Sequence, residues 1–167
     1  MSEDTIYKER LSSYKTEALF TGLTLLFLIP SVWRIWRGSP GALTSILLFL
    51  SLVFFFYSVN YRVLDIDLDP GSLKLKFGIF TWRIPVDNIV SWRLDDLSLL
   101  MKYGGAGIHF MQIQGRYRAS FNFLEYPRVV VALKQKVGPV RDVSFSTKNP
   151  NEIIRLFEKV TSARSAT

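Results

Sequence analysis

The chain has 167 residues, a formal net charge of +7 and 49% hydrophobic residues. It contains no cysteine, which excludes disulfide bonds, zinc–thiolate sites and thiol catalysis. The length leaves room for one small folded domain beside any membrane-spanning segment.

Residues 1–17 are polar and of mixed charge. They contain no functional motif. We therefore expect a frayed lead-in helix or a short tail here.

Two apolar runs follow, over residues 18–36 and 41–59, and the only charge inside them is Arg34. As a helix, each run would reach about 28 Å, close to the thickness of the hydrocarbon core of a bilayer. The second run is apolar on every face, whereas a helix of a soluble protein shows a polar stripe. We therefore predict a transmembrane helical hairpin over residues 18–60. Buried core helices and a signal peptide are the alternatives.

The end of the first run carries aromatic and basic residues typical of a membrane interface, with arginines that reach toward water. These membrane-interface anchors are Trp33, Arg34, Trp36 and Arg37. Two spans place both termini on one side, and more basic residues flank the spans on that side than lie near the connecting loop. The positive-inside rule then predicts a two-span protein of the cell membrane with cytoplasmic N- and C-termini.

After the hairpin, the periodicity changes to the alternation that is typical of strands. Two alternating runs flank a Pro-Gly turn at residues 69–72. If this turn closes a β-hairpin, Asp67 faces Lys74 and Asp65 faces Lys76. Each such pair contributes roughly 0.2–1 kcal/mol, and the register explains the acidic residues without a bound metal.

Strand patterns continue over residues 79–84, 89–94, 108–114, 116–123, 129–133 and 140–146. Short successive strands with tight turns predict an antiparallel meander of about seven strands. Asn149 is a good N-cap and Pro150 suits the first helical position, so an amphipathic helix closes the chain. We assign residues 61–162 to this mainly antiparallel β domain with its C-terminal helix, and residues 163–167 to a polar tail.

The order of these elements resembles the bacterial pleckstrin-homology-like membrane proteins, in which two membrane helices precede such a domain. The local motifs that carry the resemblance are Leu73–Phe80 with Trp82–Ile89, Tyr103–Ile108, Val129–Leu133 and Ser146–Pro150. The resemblance covers most of residues 61–160. It implies a split barrel of two sheets capped at one end by the helix, and it implies no catalysis and no particular site residues.

Three patterns invite comparison with known chemical sites. The acidic triplet at residues 65–69 starts like a calcium loop but lacks the glycine and glutamate at the required positions. The glycines at residues 104–107 lack the Gly-Lys-Ser/Thr ending of a phosphate-binding loop. His109 is the only histidine, so no histidine cluster is indicated. We predict no cofactor, no metal site and no enzymatic activity.

Basic residues are the candidate contacts of the β domain. Arg116 and Arg118 share one face of a predicted strand, and Lys134 and Lys136 follow on a later one. Together they would form a patch for lipid phosphates or an acidic partner, the alternative being a solvated sheet face. The apolar segment at residues 97–102 would enter the membrane interface or pack in the domain.

These patterns favour a membrane-anchored, non-enzymatic binding or assembly module, whose partner is another protein or a second copy of the chain. An anionic-lipid-binding module that uses the basic face is the alternative. A membrane enzyme is disfavoured, because neither apolar run carries an intramembrane carboxylate. A membrane tether also argues against nucleic acid as the partner.

Overall fold

The structure is a computed structural model and describes residues 5–95, 97 and 106–165. The elements of the first half are β1 (Tyr7–Ser12), α1 (Tyr14–Trp36), α2 (Ala42–Asn60), β2 (Val63–Leu68), β3 (Ser72–Phe77) and β4 (Phe80–Pro85). Those of the second half are a 3₁₀ turn (Val86–Asn88), β5 (Ile89–Leu94), β6 (Gly107–Ile113), β7 (Arg116–Asn122), β8 (Arg128–Val137), β9 (Val140–Ser146) and α3 (Pro150–Ser165).

Two sequence predictions concern residues beyond this description. The expected interface segment at residues 97–102 lies outside the described residues, apart from Leu97. The same holds for the glycines at residues 104 and 105.

Helices α1 and α2 are both long and apolar enough to cross a membrane, and this confirms the two predicted apolar helices. α1 starts earlier than expected because Ser13 caps it, its hydroxyl accepting a hydrogen bond from the Thr16 amide at 3.1 Å. Large apolar side chains on both helices are exposed, among them Ile29 and Phe49 at 64% and 66%. Water disfavours apolar surface of this kind, whereas lipid accommodates it.

Small hydroxyl residues line the contact between α1 and α2. Thr24, Ser31, Thr44 and Ser51 are all buried there. The hydroxyls of Thr24, Ser31 and Ser51 each donate to a backbone carbonyl of their own helix, at 2.7–2.8 Å. Small side chains let the helices approach closely, as is typical of helix pairs in membranes.

The first sheet has the order β1-β2-β3-β4, and all its pairs are antiparallel. The expectation of a helix or tail before residue 18 is wrong for Tyr7–Ser12, which pairs with β2 along its whole length, whereas residues 14–17 belong to α1. The predicted hairpin register is confirmed: Asp65 lies opposite Lys76, and Asp67 lies opposite Lys74. The apolar side chains between these charges point inward and are buried.

The second sheet has the order β5-β8-β9-β7-β6. The expected antiparallel meander is wrong here, because β9 lies beside β7 and runs parallel to it. Residues 123–127, between β7 and β8, include Pro127 and do not form a tight hairpin, so β8 is free to leave β7 and pair with β9. The described residues form nine strands in place of the expected seven or so.

The inward faces of the two sheets share one core, in which Phe77 of the first sheet lies 5.2 Å from Phe123, ring centroid to ring centroid. α3 begins at Pro150 as predicted, and it buries Ile153 and Phe157. The Phe157 ring stacks on Trp92 of β5 at 5.3 Å. α3 also extends into the expected tail at residues 163–167. The sheets do not close into a barrel, and β4 and β6 are outer strands of their respective sheets.

Candidate functional site

The turn between β3 and β4 lies against the end of α2. Asn60, the last residue of α2, accepts a hydrogen bond from the Ile79 amide at 3.3 Å through its side-chain oxygen. The Phe80 ring lies 6.1 Å from the Phe56 ring of α2. The Ile79 side chain is 72% exposed. If α2 spans a bilayer, this turn therefore lies at the bilayer surface with an exposed apolar side chain.

The outward face of the first sheet is basic. Two rows cross its four strands: Arg10, Asp65, Lys76 and Thr81 form one, and Lys8, Asp67, Lys74 and Arg83 form the other. Asp65 forms an ion pair with Arg10 at 3.5 Å, and Asp67 forms one with Lys8 at 4.0 Å. We name the five cations of these rows the basic face: Lys8, Arg10, Lys74, Lys76 and Arg83.

The basic face begins close to the helices. Lys76 precedes Phe77, which pairs with Phe80 in the row that meets α2. Consecutive residues of a strand are about 3.3 Å apart along its axis, so the row of Lys76 is the next one outward. Arg62, just after α2, adds an exposed cation at the same end and pairs with Glu17 of α1 at 3.0 Å.

An apolar cleft of about 390 Å³ lies between the outer strands β4 and β6, where the two sheets fail to close. Trp82 of β4 faces Phe110 of β6 across it, with ring centroids 6.3 Å apart. Tyr61, the residue after α2, also lines the cleft. We name this space the seam cleft and define it by its apolar lining: Tyr61, Phe80, Trp82, Ile108, Phe110 and Phe121.

The structure does not bring the four predicted basic contacts together. Arg116 makes a two-pronged ion pair with Asp142, with N–O distances of 2.7 and 3.0 Å, and this pairing raises the pKa of Arg116. Arg118 is only 2% exposed, so it does not join Arg116 in the predicted patch. Lys134 and Lys136 are exposed beside Pro85, at the far end of β4 from α2. The four residues are separated because β9 lies between β7 and β8.

Arg118 belongs to a buried charge cluster. Asp95 bridges Arg118 at 3.3 Å and Arg128 at 3.2 Å, and all three side chains are at most 5% exposed. His109 lies near this cluster, and burial together with the charge of Arg128 lowers the pKa of its imidazole. Its two ring nitrogens have no hydrogen-bond partner among the described residues, so they form no nucleophile–base pair with Ser120 on the neighbouring strand. The cluster therefore has the features of a structural ion-pair network.

The four predicted interface anchors do lie together, at the loop end of the hairpin. The Trp33 and Trp36 rings are 5.7 Å apart, and the Arg37 guanidinium lies 4.6 Å from the centre of the Trp33 ring. Arg34 donates from Nε to the Thr44 hydroxyl at 3.1 Å, which ties α1 to α2. Their role as membrane anchors stays a prediction.

Sequence reasoning missed both the basic face and the seam cleft. The sequence shows the charges of β2 and β3, but its pattern does not identify β1 as the strand that adds Lys8 and Arg10. The cleft combines residues from β4, β6, β7 and the end of α2. Its signal is the alternation of apolar and aromatic residues at positions 80 and 82 and at positions 108 and 110, which only the fold brings together.

Within the described part of the chain, no group of three or more His, Asp or Glu side chains is placed to hold a metal ion. Comparison with family models, with curated proteins and with solved structures finds no match to this chain.

Proposed function

We propose that the protein is a membrane-anchored, non-catalytic binding module whose basic face recognises the anionic head groups of the leaflet beside it. The observation that carries the proposal is the position of this face. Five cations and two carboxylates, a net charge of +3, lie on two rows of the sheet that begin one residue from the strand row that contacts α2. With the termini on the cytoplasmic side, the face would meet the leaflet that is rich in anionic lipid.

The expected strength of this interaction is sufficient for recognition. Each Lys or Arg near an anionic membrane surface contributes about 1 kcal/mol, and the effect falls off within a Debye length of roughly 8–10 Å. Lys76 lies closest to the helix ends and would contribute most, whereas Arg62 at the same end is paired with Glu17. Ile79, exposed on the adjacent turn, would add apolar contact with the interface.

The resemblance to bacterial pleckstrin-homology-like membrane proteins forms part of this proposal. Two sheets with a shared core and a C-terminal helix packed on β5 and β8 support it. The parallel pairing of β7 with β9 is a detail that this resemblance did not lead us to expect.

The test is to measure which lipids surround the full-length protein. The protein would be reconstituted into vesicles of mixed phosphatidylcholine and phosphatidylglycerol, which would then be solubilised into native-lipid nanodiscs. The lipid ratio around the purified protein would be determined. We expect phosphatidylglycerol to be enriched over the starting mixture. The double variant Lys76→Gln, Arg83→Gln removes two exposed charges of the basic face and should abolish most of this enrichment.

Lys134→Gln, Lys136→Gln is the matched control, since it removes the same net charge at the far end of β4. It should leave the enrichment unchanged. A lipid ratio around the unmodified chain equal to that of the starting mixture would refute the proposal. A loss in the control equal to that in the basic-face variant would also do so, because it would show a general effect of net charge.

A protein partner or a second copy of the chain is the second candidate. The observation that favours it is that β4 and β6 are outer strands whose free edges have no strand partner among the described residues. An extended segment can add to such an edge through backbone hydrogen bonds. Light scattering of the detergent-extracted protein tests self-assembly: a defined oligomer supports it, and a monomer rules it out.

A further inference from the structure

The seam cleft is continuous with the surface of α2 that would face lipid. Phe56 of α2 is 40% exposed, and its ring lies 6.1 Å from Phe80. The Phe80 ring, itself 39% exposed, lies 6.3 Å from Tyr61, which lines the cleft. An unbroken apolar path therefore leads from the expected bilayer into the space between β4 and β6.

The size and lining of the cleft fit a hydrocarbon chain. Its volume of about 390 Å³ lies in the usual range for small-molecule sites. None of the described residues that line it carries a charge. A hydrocarbon chain brings no hydrogen-bonding groups that such a lining would leave unpaired, and it gains free energy for each methylene removed from water.

An inserted polypeptide strand fits this space less well. A strand needs about 4.8 Å of separation from each neighbour. The rings of Trp82 and Phe110 already meet across the seam, and Trp82 also lies 6.1 Å from Phe121. A strand added between β4 and β6 would have to displace these contacts, whereas a flexible chain can lie among the rings.

We propose that the seam cleft holds one acyl chain of a membrane lipid, drawn from the leaflet next to α2. This site would tie the β domain to the bilayer independently of head-group charge. It therefore goes beyond the recognition of anionic head groups, and a neutral lipid serves as the probe. Failure of one proposal leaves the other intact.

Trp82 is a built-in reporter of occupancy. The full-length chain with Trp33→Phe, Trp36→Phe and Trp92→Phe retains it as the single tryptophan. This protein would be reconstituted in phosphatidylcholine whose acyl chains are brominated near the methyl end. In an undisturbed leaflet those bromines lie near the bilayer midplane, about 15 Å below the edge of the hydrocarbon core. Because bromine quenches on contact, only a chain that enters the cleft brings it to Trp82.

We expect the brominated lipid to reduce Trp82 fluorescence by at least half relative to unbrominated lipid. Phe110→Asp places a charge at a half-exposed position of the lining and should restore the fluorescence. Val90→Asp, at an exposed apolar position of β5, is the matched control and should leave the quenching intact. Unquenched Trp82, or equal quenching with Phe110→Asp, overturns the proposal.

A second measurement keeps the test decisive if Phe110→Asp fails to fold. Acrylamide, a quencher dissolved in water, should reach Trp82 more readily in a lipid-free fluorinated surfactant, whose tails mix poorly with hydrocarbon, than in phosphatidylcholine vesicles. Protection from acrylamide without quenching by bromine would mean that something other than a lipid chain, such as an extended protein segment, fills the cleft. That result also overturns the proposal.

Discussion

Gly107, the first residue of β6, packs directly against the Tyr61 ring. Its φ of +89° lies in the region that favours glycine, and an added Cβ would overlap the Tyr61 ring, within 2.6 Å of Cε2. We expect Gly107→Ala to lower the free energy of unfolding by roughly 1–3 kcal/mol, since Tyr61 is packed and cannot move aside freely. Denaturant unfolding in mild detergent measures this. Gly71→Ala is the control, because its Cβ meets nothing within 4 Å; an equal loss there would contradict the prediction.

His109 makes stability depend on pH in a predictable direction. Burial, with the Arg128 charge as the second cause, holds its folded-state pKa below the ordinary 6.5. Below pH 6.5 the unfolded chain therefore gains a proton before the folded chain does, and stability falls until the folded-state pKa is passed. Well above pH 6.5 both states are neutral at this residue, and its contribution is constant.

The measurement is the midpoint of denaturant unfolding as a function of pH, for the unmodified chain and for His109→Gln. As this is the only histidine, the difference between the two curves isolates its titration from that of the carboxylates. We expect the difference to change as the pH falls below 6.5. Parallel curves throughout that range would show that the imidazole titrates alike in both states.

One carboxylate ties the missed strand β1 to the segment that leads into α3. Glu9 accepts hydrogen bonds from the Thr147 hydroxyl at 2.6 Å, the Lys148 amide at 2.9 Å and the Tyr7 hydroxyl at 2.8 Å. Burial raises the pKa of Tyr7 to about 12, so its hydroxyl stays protonated and able to donate. β1 is thereby joined to the segment that leads into α3.

We expect Glu9→Ala to cost about 1–3 kcal/mol of unfolding free energy, because the Thr147 hydroxyl is buried and loses its acceptor. Hydrogen exchange should locate the effect: relative to the unmodified chain, the variant should show faster exchange at the β1 amides and little change at the β3 amides. Glu125→Ala at an exposed position should change stability by less than about 0.5 kcal/mol. Unchanged exchange in β1 would show that Glu9 does not hold the strand.

Glu9 also explains why β1 could not be predicted. It stands between Tyr7 and Leu11, at a position where a strand facing the core would carry an apolar residue, and its partners lie 138 and 139 residues away. The β2–β3 register was predictable because its charges and its turn are local. The β7–β9 pairing was not, because no short turn dictates it. Local chemistry thus predicts hairpins, whereas long-range pairing and the seam cleft depend on the assembled sheets.

The loop of the helical hairpin and the β domain should lie on opposite sides of the membrane, so the orientation of the chain can be tested directly. The chain lacks cysteine, so Ser39→Cys in the helix loop and Lys134→Cys in the domain each give one labelling site. We expect a membrane-impermeant maleimide to label Ser39→Cys on intact cells, and Lys134→Cys only after permeabilisation. The reverse pattern would place the domain outside, and labelling of both on intact cells would argue against spanning helices.

The β domain joins the two long helices without flexible linkers. A single residue, Ser13, separates β1 from α1, and only Tyr61 and Arg62 separate α2 from β2. The Glu17–Arg62 ion pair and the Asn60–Ile79 hydrogen bond brace the same junction. Helices in a bilayer change their tilt with its thickness. Because the connections are short, the first sheet would rotate together with the helices when they tilt. Bilayer thickness would then set the angle at which the domain faces the membrane surface.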